Sequence, residues 1–144
     1  MRINGEWRLF DDGVVRPVIR GEILTGSGSW QPAEFLVDTG ADRTVFSAAT
    51  LSKLGLQSMG PQERISGLGG LADSVIIETQ IRLTRETEST VIFRGRFAAV
   101  TKVEALDVSV LGRDLTGLFA VIVDRPGDVV CLVGQQHQYT IERR

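Results

Sequence analysis

The sequence predicts a mostly β domain with one or two short helices, and three observations carry that prediction. Runs rich in β-branched residues are short and are broken repeatedly by Gly, Pro and Ser. Only residues 48–54 place good helix formers between a capping hydroxyl, Ser47, and a terminal glycine, Gly55. With 144 residues, 42% of them apolar and 24% charged, the chain has ordinary globular composition and enough length for a real core. It reads as a single domain over residues 1–144.

Taken in order, residues 14–20 and 22–24 are strand-like, and Thr25-Gly26-Ser27-Gly28-Ser29 reads as a flexible loop. Residues 33–37 return as a strand that ends at Asp38. The helix at 48–54 follows, then strands at 76–83, 90–101 and 118–124. Arg125-Pro126-Gly127-Asp128 turns the chain into a last strand at 129–133. A second short helix is expected after Gly112, through residues 113–118. Repeats, linkers and low-complexity tracts are not evident.

Lys plus Arg number 16 against 18 for Asp plus Glu, a formal charge of -2 without a basic stripe. Bulk electrostatics therefore disfavour a nucleic-acid partner. Cys131 is the single cysteine, so an intrachain disulfide is excluded, and its apolar setting reads as a buried, inert strand thiol. His137, the single histidine, lacks neighbours at ligand spacing and reads as a solvated tail residue, so neither a metal nor a cofactor is expected. Residues 1–10 carry no apolar stretch of signal type, and nothing approaches the roughly 18 apolar residues of a membrane span. The expectation is a cytoplasmic protein without a membrane partner.

Three stretches carry chemistry. In Leu36-Val37-Asp38-Thr39-Gly40-Ala41-Asp42-Arg43-Thr44 an apolar run ends at a carboxylate followed by a hydroxyl and a glycine. A carboxylate that close to a core loses hydration and needs donors around it. Thr39 offers a hydroxyl, and Gly40 allows close backbone approach. Arg64-Ile65-Ser66-Gly67-Leu68-Gly69-Gly70-Leu71 suits a hairpin whose tip needs positive φ. A phosphate loop fails there, because neither a Gly-Lys-Ser/Thr nor a helix follows. Val108-Ser109-Val110-Leu111-Gly112-Arg113-Asp114, alone, is a buried strand entering a helix.

In this order and spacing, the three blocks resemble the retropepsin-like, single-domain aspartic peptidases. The Asp-Thr-Gly tripeptide alone is weak evidence; the nine-residue form is far more specific. The likeness runs from about Arg16 to Leu118 and weakens before Arg16, over residues 84–102 and after Asp124. It implies a closed β-barrel or sandwich with a flap hairpin, acting as a C2 homodimer on peptide or protein substrates. The catalytic set would be Asp38, Thr39 and Gly40, with Thr39 bonding across the dyad to hold the two loops in register and Gly40 meeting substrate backbone. Ala41, Asp42, Arg43, Val45, Ile65, Ser66, Gly67, Leu68, Val108 and Val110 would meet substrate. Gly69, Gly70 and Gly112 would be structural, and Arg113 would pair with Asp42. Arg16 would reach the partner's equivalent of Asp42. Ser66 and Arg43 depart from the family pattern, and Arg43 would favour acidic substrate side chains.

Aspartic chemistry needs two carboxylates around one water, yet the chain has one Asp-Thr-Gly. Asp11-Asp12-Gly13 and Leu115-Thr116-Gly117 lack the pattern, so counting requires a second copy on a two-fold axis. The competing reading is a catalytically silent dimeric peptide-binding module of the same fold. An intact Asp38-Thr39-Gly40 argues against it, since a binder has no physical need for a bare carboxylate pair.

Overall fold

The computed structural model describes residues 1–67 and 70–134, without the side chains of 61–63, 66 and 67. Its strands are β1 (Arg2–Asn4), β2 (Glu6–Leu9), β3 (Val15–Leu24), β4 (Trp30–Val37), β5 (Val45–Phe46) and β6 (Met59–Gly67). They continue with β7 (Gly70–Thr84), β8 (Thr90–Val100), β9 (Ser109–Leu111), β10 (Ala120–Asp124) and β11 (Val129–Val133). Two short helices, α1 (Ala48–Leu54) and α2 (Arg113–Thr116), and a 3-10 turn at Val103–Ala105 complete it.

Eight strands form one sheet in the order β2-β3-β4-β9-β5-β8-β7-β6, and β3 also pairs with β7. That extra pairing, Glu22 with Arg82 and Ile23 with Ile81, closes β3, β4, β9, β5, β8 and β7 into a barrel. The sequence reading broke β3 at Gly21, but the strand runs through it. A Cβ there would lie 2.6 Å from Leu83 Cδ2 and 2.9 Å from the Arg82 carbonyl oxygen, so glycine is what lets β3 approach β7. Closure removes the free edges those strands would otherwise expose.

Period-two alternation sends one face of each barrel strand inward. Phe35, Phe46, Phe97, Ile23, Ile77 and Ile81 are buried there, with ring centroids 6.2 Å apart for Phe35 and Phe46 and 5.6 Å for Phe46 and Phe97. The N-terminal residues, which gave no strand signal, form β1 and β2. β1 pairs with β11 and β11 with β10 in a separate sheet, and Ile3, Val130 and Leu132 of that sheet join the same core. Trp7 fastens the two sheets, its indole N–H donating to the carbonyls of Asp124 and Val129 at 3.1 and 3.2 Å.

Helix α1 forms as the sequence predicts. Ser47 Oγ accepts from the Thr50 amide at 3.2 Å, and Gly55 ends the helix at φ 59° in the left-handed region. Other boundaries moved for local reasons. Val14 donates its amide to Asp12 Oδ1, so β3 starts one residue later. Thr101 turns its amide and hydroxyl to the Asp73 carbonyl and ends β8 at Val100. Leu118 closes a turn onto Leu115 instead of opening β10. Cys131 is buried and free. His137 and the rest of the 135–144 tail lie outside the described residues.

Candidate active site

β4 delivers Asp38. Its last residues run parallel to β9, Leu36 beside Val110 and Val37 beside Leu111, and the Asp38 amide donates to the Leu111 carbonyl at 3.2 Å. The chain then turns back on itself: the Gly40 amide donates to Asp38 Oδ1 at 2.9 Å and the Ala41 amide to the Asp38 carbonyl at 3.2 Å. The carboxylate is thereby oriented by the glycine that follows it, half-buried at the mouth of a cleft.

Helix α2 locks the loop from behind. The Arg113 amide donates to the Ala41 carbonyl at 2.8 Å, its guanidinium donates to the Thr39 carbonyl at 2.9 Å, and it pairs with the Asp42 carboxylate. The Arg113–Asp42 pairing implied by the family likeness is thus present within one chain. Gly112 is required by space: a Cβ there would collide with the Arg43 carbonyl.

One anchor was not assigned from the sequence. Asp114 accepts the Thr44 amide at 2.9 and 3.0 Å on its two oxygens, the Thr44 hydroxyl at 2.7 Å and the Leu115 amide at 2.9 Å. Thr44 is fully buried, and its hydroxyl also accepts the Gly112 amide at 3.2 Å. A carboxylate in the first turn after Gly-Arg was the available signal.

The cleft measures about 710 Å³. Asp38, Ala41, Val45, Ile65, Gly70 and Val110 border it, six positions that the sequence reading had marked. Val45 and Val100 on its border belong to a small buried cluster with Ala98, against which Ile65, Ala72, Ile76 and Leu106 pack. Thr39, Gly40, Asp42 and Arg43 share the Asp38 loop but are exposed outside the cleft border. Val108 precedes β9 half-buried and does not border the cleft. Ser66 and Gly67 pair through their backbones with Leu71 and Gly70 across the β6–β7 ribbon. Leu68 and Gly69 lie outside the described residues. Unforeseen from the sequence are four charged residues on the border, Arg64, Asp73, Lys102 and Glu104.

Arg16 sits elsewhere. Within the chain its guanidinium grips the Asp12 carboxylate at 3.0 and 2.7 Å, in a second hollow of about 460 Å³ that shares Leu106 with the first. The Arg16 hydrogen bonds, then the Val14 amide, pull the Asp12 carboxyl down from 3.8 to about 2. Reaching a partner would mean exchanging this local pair. Among the described residues, no group of three or more His, Cys, Asp or Glu could hold a metal, and no helix is long and apolar enough to cross a membrane.

A closed barrel that presents an Asp-Thr-Gly turn, braced by Gly-Arg-Asp, at the mouth of an apolar cleft defines a retropepsin-like aspartyl protease fold. The aspartyl protease family profile matches residues 20–115, and the chain belongs to that family. Among solved structures it is similar to a retropepsin-like aspartic protease from Rickettsia conorii, at 18% identity and a TM-score of 0.55, covering 92% of this chain and 97% of that one. It is also similar to EIAV protease complexed with the inhibitor HBY-793, at 24% identity and a TM-score of 0.50, covering 71% of this chain and 86% of that one. No curated protein matches it in sequence.

Proposed function

We propose that the chain, a single domain over residues 1–144, is an aspartic endopeptidase that works as a C2 homodimer, each subunit bringing one Asp38 to the axis. The observation that carries this is the Asp38 turn itself: an Asp-Thr-Gly carboxylate, oriented by Gly40 and braced by Arg113, on the border of a cleft of about 710 Å³. Two carboxylates around one water share a single proton and titrate as a unit. The ionised one takes a proton from the water while its protonated twin donates toward the scissile carbonyl oxygen. The water's oxygen adds to the carbonyl carbon; collapse of the adduct then breaks the C–N bond as the nitrogen is protonated.

In this reading Thr39 bonds across the axis, Gly40, Ala41 and Asp42 meet substrate backbone, and Val45, Ile65, Val108 and Val110 shape side-chain subsites. The β6–β7 ribbon acts as the flap, with Ser66 and Gly67 offering backbone bonds to a bound peptide. Arg43, exposed beside the loop, favours acidic substrate side chains. Arg16 exchanges Asp12 for the partner's equivalent of Asp42. The free, buried thiol of Cys131 suits a reducing cytoplasmic compartment.

The test is mass-spectrometric cleavage of a diverse peptide mixture from acid to neutral pH, native protein against Asp38→Asn. Cleavage abolished by the substitution is the expected result, and the products give the subsite preferences. Absence of cleavage by the native protein, at concentrations that hold a dimer, would overturn the peptidase reading and favour a peptide-binding module.

A further inference from the structure

The aspartic chemistry leaves Asp73 unused, although Asp73 borders the same cleft. Its place in the sheet is distinctive. β7 stays paired with β8 down to Ser74, opposite Val100. Beyond that point Asp73, Ala72, Leu71 and Gly70 pair only with β6. β6 offers the ribbon poor footing, since its register shifts between Met59 and Glu63 and Gly60 sits at φ 70°. The ribbon therefore leaves the barrel at Asp73.

Three segments meet on that one residue. The Thr101 amide and hydroxyl donate to the Asp73 carbonyl at 3.2 and 3.4 Å. Its carboxylate lies 3.6 Å from Arg64 Nε on β6 and 4.0 Å from Lys102 Nζ after β8. Lys102 leads into the 3-10 turn Val103–Ala105, whose Glu104 and Ala105, with Leu106 beyond, also border the cleft. These separations exceed hydrogen-bond length, so the carboxylate acts by non-directional attraction, which tolerates small adjustments of either side. Take the charge away and both cations lose this partner.

We propose that Asp73 is a positioning residue that sets the width of the cleft mouth by holding the β6–β7 ribbon to the Lys102–Leu106 wall. The proposal rests on the reading of this cleft as the substrate site, and adds what determines its aperture. Asp73 touches neither the water nor the scissile bond. It acts on how well an extended peptide is gripped, and so on binding in the ground and transition states alike.

The test compares Asp73→Asn, Asp73→Glu and Lys102→Gln in the full chain by amide hydrogen exchange and by steady-state cleavage of one peptide substrate. Neutralising Asp73 leaves the Thr101 bonds to its carbonyl intact. For two ion pairs this exposed, exchange at residues 64–67, 70–73 and 101–106 should rise about two- to fivefold. KM should rise by a similar factor with kcat unchanged, while exchange in β3, β4 and β8 stays native. Lys102→Gln, which removes the ion pair that runs from ribbon to wall, should reproduce most of the effect, and Asp73→Glu should restore native behaviour. Native exchange at the ribbon and wall in Asp73→Asn would overturn the proposal, as would a rise spread over the whole barrel or failure of Asp73→Glu to rescue. Should Asp73→Asn not fold, Lys102→Gln decides by the same criteria. If the native protein cleaves nothing, the peptidase reading falls by itself, and the exchange data still accept or reject the tie.

Discussion

Asp114→Ala tests whether the active-site turn is held from beneath. The carboxylate satisfies two donors of the fully buried Thr44, its amide and its hydroxyl, and also caps the Leu115 amide. Alanine removes every one of those acceptors. Leaving a buried donor unsatisfied costs about 1–3 kcal/mol, which puts two donors at roughly 2–6 kcal/mol. Asp114 itself is exposed, so water fills part of the vacancy, and the lower end of that range applies, about 2–3 kcal/mol. For a chain of this size that lowers the melting temperature by roughly 5–10 °C. Urea unfolding followed by Trp7 and Trp30 fluorescence measures it, and Asp114→Asn, which keeps one acceptor oxygen, should lose about 1 kcal/mol. If Asp114→Ala lost less than about 0.5 kcal/mol, the bonds would be ornamental and the bracing argument wrong. A cycle with Thr44→Val should show coupling between the two positions, since they share the same bonds.

Three further outcomes are expected. Phe46→Ala empties the centre of the barrel between Phe35 and Phe97 and should cost about 3–5 kcal/mol by the same urea titration. Gly55→Ala forces a Cβ into the left-handed cap of α1 at φ 59° and should cost about 1 kcal/mol, whereas Ala48→Gly should cost less because that residue lies at the frayed start of the helix. Asp12 is held at about 2 against an ordinary 3.8, chiefly by Arg16; a depressed carboxyl stabilises the fold above its unfolded pKa and loses that contribution as pH falls from about 4 to about 2. NMR titration of Asp12 should show its midpoint returning upward in Arg16→Gln, and an unchanged midpoint would assign the depression to the Val14 amide instead.

The elements were legible where periodicity is local. Residues 33–37 lie within β4, 129–133 form β11 and 48–54 form α1, because alternation, caps and turn residues act within a few positions. β1 and β2 were missed because only three or four residues pair in each, too few for a period. β1 owes its conformation to β11, far along the chain, and β2 to the neighbouring β3, across a short turn. The Asp38 loop and its Arg113 brace were legible through the residue types their chemistry demands. Arg64, Lys102 and Glu104 were not, because a charged residue on a cleft border looks like any solvated one until the sheet brings the segments together. Arg16 shows the same limit from the other side: its type was informative, while its present partner, four residues away, is local and unremarkable in sequence.

The distribution of contacts around the cleft fits the proposed chemistry. The Asp38 turn is fixed by backbone bonds to β9 and α2, by the Arg113 guanidinium and by the Asp114–Thr44 lattice behind it. A carboxylate that must meet its twin around one water needs placement within a fraction of an ångström, and bonds to rigid elements supply that. The ribbon across the cleft is held at its base by the Thr101 bonds and by two exposed ion pairs at 3.6 and 4.0 Å. Such contacts are weak and salt-sensitive, so the side that admits substrate yields at small cost while the side that carries the carboxylate does not. The two halves should separate in one experiment. Raising the ionic strength should speed amide exchange in the ribbon and wall more than at the Asp38 turn, where unscreened backbone hydrogen bonds stand beside the exposed Arg113–Asp42 pair. Equal acceleration on both sides would mean that the turn, too, is held mainly by its exposed Arg113–Asp42 pair, and the weight given to its backbone bonds would have to be given up.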